Sequence, residues 1–189
     1  IAAAGKNATI LHYVDNNSEA KDGDLILFDL GAQVNYYNGD ISRTRPVNGK
    51  FTERQKEVYE AVLRVNRRVI EYLKPGVKFL EINKLSREWI AEECIKLGVI
   101  KNKEEVSKYY WHSIGHSLGL DTHDIDNPGR DTVLEAGMVY TVEPGIYIEE
   151  ESIGVRIEDD VLITADGNEV LTRNMIKSVK EIEEFMQNH

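Results

Sequence analysis

The chain has 189 residues, of which 23 are Lys or Arg and 33 are Asp or Glu, giving a formal net charge of -10. This acidic balance argues against nucleic acids and anionic membranes as partners, because both require a basic face to neutralise phosphate. Hydrophobic residues make up 41% of the chain and charged residues 30%, which is typical of a folded globular domain. The length suits one domain, and the single cysteine, Cys94, favours a reducing compartment, so we expect a cytoplasmic protein.

Apolar and polar residues in the first 50 positions predict a pair of strands. Two apolar runs, 24–30 and 40–47, are separated by the polar segment 33–38. This pattern favours two antiparallel strands joined by a short connection.

Two helices are predicted next. Thr52 and Gln55 form a capping-box pattern, and apolar residues at helical spacing follow as far as Pro75. A second helix is expected over residues 80–97, with Cys94 among its core residues.

The last third changes to short β-type runs and a final helix. Runs at 139–142, 146–148, 154–157, 161–164 and 169–172 are separated by Gly, Pro or acidic residues. A closing helix over 178–185 is expected to place Ile182 and Phe185 inward. The order of elements indicates an α+β fold with a mainly antiparallel sheet.

Several carboxylates lie inside otherwise apolar strands, and three histidines lie within twelve residues of one another. A carboxylate directed into a core is costly unless a cation pairs with it. Asp29 and Asp40 would share a face of the predicted strand pair if its centre fell between Val34 and Asn35. Such carboxylates with an imidazole suit a two-ion site for Mn²⁺, Co²⁺, Fe²⁺ or Zn²⁺. The acids in question are Asp29, Asp40, Glu143 and Glu158, and the histidines are His112, His116 and His123.

One acidic pattern is set aside. Asp124, Asp126, Gly129 and Glu135 occupy positions 1, 3, 6 and 12 of a calcium-binding loop, but Pro128 replaces the usual oxygen ligand at position 5. We therefore expect no calcium site there.

The candidate residues lie in, or close to, seven segments of the chain. These are Ile-Leu-His-Tyr at 10–13, Leu-Phe-Asp-Leu-Gly at 27–31, Gly-Asp-Ile-Ser-Arg-Thr at 39–44, Pro-Val-Asn-Gly-Lys-Phe-Thr at 46–52, the segment 112–124, Thr-Val-Glu-Pro-Gly-Ile-Tyr at 141–147 and Val-Arg-Ile-Glu-Asp-Asp at 155–160. Together they resemble the pita-bread metallopeptidases, and within them Xaa-Pro aminopeptidase (aminopeptidase P) and Xaa-Pro dipeptidase (prolidase). The resemblance covers nearly the whole chain.

The resemblance implies a pita-bread fold, in which helices cover a curved antiparallel sheet, and a role for each matching residue. The implied ligands of two divalent ions, with Mn²⁺ as the expected metal, are Asp29, Asp40, His116, Glu143 and Glu158. Glu143 is further implied as the general base, and His112 and His123 as groups that polarise the substrate carbonyl. His12, Arg156 and Tyr147 are expected in the substrate pocket or around the ligands.

The implied reaction is hydrolysis of the N-terminal Xaa-Pro bond of a peptide by a water that bridges the two ions. Two alternatives stay open, namely a prolidase restricted to dipeptides and a non-catalytic pita-bread module that binds peptides or proteins. Methionine aminopeptidase fits the segments around Glu158 and Asn48 less well.

The resemblance also bears on where the chain begins. Because it starts at Ile1, we interpret it as one catalytic domain, 1–189, that lacks the family's first helices and a preceding N-terminal domain. The sheet edge exposed in this way is expected to favour self-association and to weaken activity, and a homo-oligomer stays open.

Overall fold

The computed structural model describes residues 1–125 and 132–188. Its strands and helices follow the expected order of strands, helices, strands and a final helix. They are β1 (Ala2–Ala4), β2 (Leu25–Leu30), β3 (Gln33–Val34), β4 (Tyr37–Asn38), β5 (Ile41–Pro46), α1 (Glu53–Tyr72), α2 (Phe79–Lys96), β6 (Val139–Val142), β7 (Gly145–Ile148), β8 (Ile153–Arg156), β9 (Asp159–Ile163), β10 (Asn168–Val170) and α3 (Val179–Gln187).

The predicted strand pair is confirmed, with a different register. β2 pairs antiparallel with β5, and Asp29 lies opposite Ser42. The centre of the pairing therefore falls between Asn35 and Tyr36, one residue beyond the expected position. Side chains two residues apart share a face of a sheet, so Asp40 remains on the Asp29 face as its diagonal neighbour.

The connection between these strands forms a small hairpin, for which the sequence indicated only a polar segment. β3 and β4 pair through Val34 and Tyr37. Asn35 and Tyr36 between them both have positive φ, 50° and 67°. Two successive left-handed residues define the tight turn that matches the twist of paired strands, and this turn fixes the register.

The two long helices form one side of the core. Thr52 caps α1, and its side chain accepts a hydrogen bond from the backbone of Gln55, as the capping-box pattern predicted. α1 packs against α2 and against strands of the last third, so that Val58, Ile82 and Cys94 lie in one buried cluster with them.

The last third builds a second three-stranded antiparallel sheet, in the order β10, β9, β6, and a separate two-stranded pair of β7 and β8. β6 lies between β9 and the irregular segment 114–118, which runs antiparallel to β6 through backbone bonds such as Thr141 N–H to His116 O, 2.9 Å. β7 pairs with β8, and β8 contacts β2 and β5. The two sheets thus converge at the turns where their acidic residues lie.

The predicted closing helix is confirmed as α3, and Ser178 caps its start by forming a capping box with Glu181. Ile182 is fully buried, as expected. The inward placement of Phe185 was wrong, because 49% of its surface is exposed. Val179 and Ile182 are the buried residues of this short helix, so its buried face is narrower than the sequence pattern indicated.

No helix in the described ranges is both long and apolar enough to cross a membrane. The rejected calcium loop falls partly on residues 126–131, which lie outside the described residues.

Candidate active site

Five sequence-predicted ligands surround a cavity of about 370 Å³ where the two sheets converge. Each ligand lies at the end of a strand or in the segment beside one, which places its side chain at the edge of a sheet. Asp29 lies in β2, Asp40 directly before β5, His116 in the segment beside β6, Glu143 after β6, and Glu158 between β8 and β9.

Three of the five form a compact donor set. Asp40, His116 and Glu158 each offer one ligand atom, and these atoms lie within 4.8 Å of one another. Nε2 of His116 lies 3.6 Å from Oδ2 of Asp40. The set therefore combines carboxylate oxygens with an imidazole nitrogen at a separation that one ion can span.

Glu143 extends this set on the imidazole side. Its Oε1 lies 3.7 Å from Nε2 of His116, and its Oε2 lies 3.9 Å from Nδ1 of His112. A group in contact with both histidines can serve as a ligand and also accept a proton from a molecule bound between them.

Asp29 lines the cavity and forms an ion pair with the guanidinium of Arg156. Nη2 of Arg156 donates to Oδ2 of Asp29 at 2.7 Å, Nε of Arg156 donates to Ser42 Oγ at 2.8 Å, and Nη1 donates to Tyr147 Oη at 3.3 Å. Arg156 is only 3% exposed. Its guanidinium therefore fixes the edge of the site by contacts to three different strands.

The acids at the cavity are buried together, and this shifts their protonation. Burial is the main cause that raises the pKa of Asp40 to about 7, with Asp29 and Asp160 adding to it. Burial likewise raises the pKa of Glu143 to about 8 against the opposing effect of Arg156, and it raises that of Glu158 as well. Four carboxylates thus share one guanidinium, which is too little positive charge to keep all of them ionised.

The predicted carbonyl-polarising residue His112 is fixed on both sides of its ring. Nδ1 lies 2.7 Å from the Ser113 carbonyl oxygen and Nε2 lies 2.9 Å from Tyr147 Oη. Because a carbonyl only accepts, Nδ1 must carry the hydrogen. Burial lowers the pKa of His112 to about 4, so that the ring is neutral at pH 7 and Nε2 accepts from the tyrosine.

The other two histidines line the same cavity and are more exposed. The ring of His123 lies 4.3 Å from that of His116, measured between centroids. No hydrogen bond to the His123 ring is found within the described residues, so it can turn toward a bound molecule. His12 lines the cavity from the chain's first 12 residues.

Three residues that support the ligands were missed from the sequence. Ser42 is fully buried and donates from Oγ to Glu158 Oε2 at 2.7 Å. Asp160 Oδ2 accepts the backbone N–H of Asp40, and Thr141 Oγ1 accepts that of His116. Ser42 lies opposite Asp29 in the observed register, and Asp160 lies two residues after Glu158. Only the second relation could be seen in the sequence, where residues two apart share a face of a strand.

A glycine next to a ligand is required by close packing. A Cβ at Gly115 would lie 2.0 Å from the Thr141 carbonyl oxygen. The segment that carries His116 can approach β6 this closely only without a side chain at that position.

Comparisons with known proteins assign the chain to a family. A family model described as metallopeptidase family M24 matches residues 1–165. The chain is 43% identical to a Xaa-Pro aminopeptidase of Haemophilus influenzae, over 98% of this chain and 47% of the relative. It thus spans about half the length of the curated relatives it matches.

Solved structures give the same result at the level of the fold. A candidate aminopeptidase P from Bacillus anthracis superimposes with a TM-score of 0.97 at 55% identity, covering 100% of this chain and 45% of that one. A substrate complex of a variant of Escherichia coli aminopeptidase P gives 0.94 at 41% identity, covering 100% and 47%. The chain belongs to metallopeptidase family M24, and its antiparallel sheets and covering helices form the pita-bread fold of aminopeptidase P.

Proposed function

We propose that this chain is the catalytic domain of a metal-dependent Xaa-Pro aminopeptidase, which hydrolyses the peptide bond before a proline in the second position. One observation carries the proposal. Asp40, His116 and Glu158 converge within 4.8 Å at a cavity that Asp29 and Glu143 also line. The relatives named Xaa-Pro aminopeptidase support the reaction type, and the family is one of metallopeptidases.

The residues at the cavity fit divalent metal. Glu158 and Asp40 are 2% and 9% exposed, and the guanidinium of Arg156 bonds to the carboxylate of Asp29 rather than to that of either residue. Hard oxygen donors with one imidazole suit Mn²⁺, and also Co²⁺, Zn²⁺ or Fe²⁺. Two ions are proposed, held by the five ligands Asp29, Asp40, His116, Glu143 and Glu158. When bound, they supply Lewis acidity toward the scissile carbonyl and a nucleophile at neutral pH.

The protein's own groups then divide the remaining work. Glu143 takes the proton of the attacking water on a carboxylate oxygen and passes it to the proline nitrogen as the bond breaks. His123 turns its free ring toward the substrate carbonyl and donates a hydrogen bond to it. His112 can join only by exchanging its Tyr147 contact for the substrate, so its first role is to hold the wall of the pocket.

Two tests examine this proposal. Metal content is measured on protein purified without chelator, and hydrolysis of a Xaa-Pro-Xaa tripeptide is compared with that of a Xaa-Pro dipeptide. We expect bound divalent metal and preferential cleavage of the tripeptide. Preferential cleavage of the dipeptide would show a prolidase, and no metal with no cleavage would show a binding module.

A matched pair of variants tests the role of Glu143. Glu143→Gln keeps the shape but cannot accept a proton, and we expect kcat to fall by about 10² to 10⁴-fold. Glu104→Gln, at an exposed position in a short 3-10 helix, makes the same chemical change and should leave kcat unaltered. The cytoplasmic location and the peptide as partner remain predictions that belong to this proposal.

A further inference from the structure

A second pocket opens on the far side of His112 from the ligand cavity. Its volume is about 310 Å³, and it lies between the start of α2 and residues 110–113. Its wall includes Lys84, Arg87 and Trp111, together with His112 and Ser113, which also line the ligand cavity. The two spaces are therefore neighbours that share a wall.

The charge of this second pocket is opposite to that of the ligand cavity. Among the residues that the structure describes, two cationic side chains line it and no carboxylate does. That is unusual in a chain with a formal charge of -10. Another pocket adjoins the ligand cavity at Asp29 and Asp40, and neither Lys nor Arg lines it. The site is thus negative at one end and positive at the other.

The cations are presented in different ways. Arg87 is held in place, because its Nη2 donates to Ser107 Oγ at 2.5 Å and its Nη1 donates to the Tyr110 carbonyl oxygen at 3.3 Å. Lys84 is exposed, and its ammonium has no hydrogen bond or ion pair within the described residues. A flexible lysine next to a fixed arginine can close on an anion that enters the pocket.

An apolar surface accompanies these charges. The Trp111 ring is 46% exposed and lies 5.1 Å from the ring of Tyr147, measured between centroids. An exposed indole that is braced by a buried tyrosine offers a rigid face for a side chain of the ligand.

A free peptide is positive at its amino end and negative at its carboxyl end, which matches this polarity. We propose that the pocket of Lys84, Arg87 and Trp111 is the subsite for the residue that follows proline, and that the two cations bind the C-terminal carboxylate of a tripeptide. This inference rests on the proposed function. One extended residue spans about 3.3 to 3.6 Å, so the carboxylate of a dipeptide ends one residue short of the tripeptide position. The subsite therefore selects tripeptides over dipeptides.

The experiment compares one tripeptide, Ala-Pro-Ala, with its C-terminal amide. Hydrolysis (kcat/KM) and binding, followed by tryptophan fluorescence, are measured with the Mn²⁺-loaded wild type and with Lys84→Gln and Lys84→Glu. Lys180→Gln is the matched control, because it removes the same charge from the surface of α3. Arg87 is kept, since its bonds to Ser107 and Tyr110 hold the segment that leads to His112.

We expect the wild type to favour the free acid over the amide, and Lys84→Gln to reduce that preference about fivefold, as loss of an ion pair would. Lys84→Glu should reduce it further, while the amide reacts equally well with all four proteins. Hydrolysis with an unchanged acid-to-amide ratio in both Lys84 variants would overturn the subsite and leave the proposed function intact. Binding that discriminates acid from amide without any cleavage would support the subsite and overturn the proposed function. Binding without discrimination, or no binding, would overturn the subsite.

Discussion

Replacing the buried acid Asp40 by asparagine should make the metal-free protein more stable at pH 8 and abolish its stabilisation by metal. Asp40 is 9% exposed, and burial together with Asp29 raises its pKa to about 7. A carboxyl whose pKa is raised on folding stabilises the protein fully below its unfolded pKa. That stability is lost as pH rises toward the folded pKa, here between about pH 4 and pH 7. Asparagine is similar in shape and has no charge to bury.

The size of the stability change follows from the difference between the folded and unfolded pKa values of Asp40. The rise from 3.8 to about 7 corresponds to about 4 kcal/mol at 1.36 kcal/mol per pKa unit. Asp40 lines an open cavity, so solvent screening reduces this figure, and we expect about 2 kcal/mol in favour of Asp40→Asn at pH 8. At pH 5 the gain should be less than half as large. Metal reverses the order, since an ion at 100 times its Kd stabilises the wild type by about 2.7 kcal/mol.

Urea denaturation at pH 5 and pH 8, with chelator and with saturating Mn²⁺, measures all of these quantities. Asp15→Asn is the control, because it makes the same change at an exposed position and should be neutral. If folded Asp40→Asn were less stable than the wild type in chelator at pH 8, the burial argument would fail. If Mn²⁺ stabilised both proteins equally, Asp40 would not be a ligand.

Three further comparisons test contacts at the site and the packing of the closing helix. Arg156→Gln leaves buried acceptors unpaired and should cost about 3 to 5 kcal/mol in urea denaturation, and Arg156→Lys should recover part of that loss. Gly115→Ala places a Cβ 2.0 Å from a carbonyl oxygen of β6, so calorimetric metal affinity should fall at least tenfold, whereas Gly167→Ala, with nothing closer than 4.0 Å, should retain it. Ile182→Ala should cost about 2 to 5 kcal/mol and Phe185→Ala under about 1 kcal/mol, a difference that equal thermal shifts would contradict.

The sequence predicted the helices and strands well because their signals are local. The capping box at Thr52 and the pattern of apolar residues in α1 act within one turn or one face, and the structure confirms both. The register of β2 and β5 was missed by one residue because it depends on two left-handed residues, Asn35 and Tyr36. Neither is a glycine, so the turn carried no clear sequence signal.

The site was predicted through motif resemblance, and its supporting contacts were not. The structure brings the five expected ligands around one cavity. Ser42 and Thr141 escaped notice because a small hydroxyl residue is common in any strand. Their role depends on which distant backbone or carboxylate they meet, and only the three-dimensional arrangement specifies that.

The buried acids at the cavity have two ways to exist without a large electrostatic cost, protonation or coordination to a cation. Arg156 can satisfy only one of them, and it is bonded to Asp29. Without metal, Asp40 and Glu143 therefore retain protons near neutral pH, as their raised pKa values indicate. The same burial that makes their ionisation costly removes competing water from their oxygens. A divalent ion that binds there offsets the electrostatic cost of ionising the clustered carboxylates. The same cost in the metal-free protein therefore favours metal binding at this site.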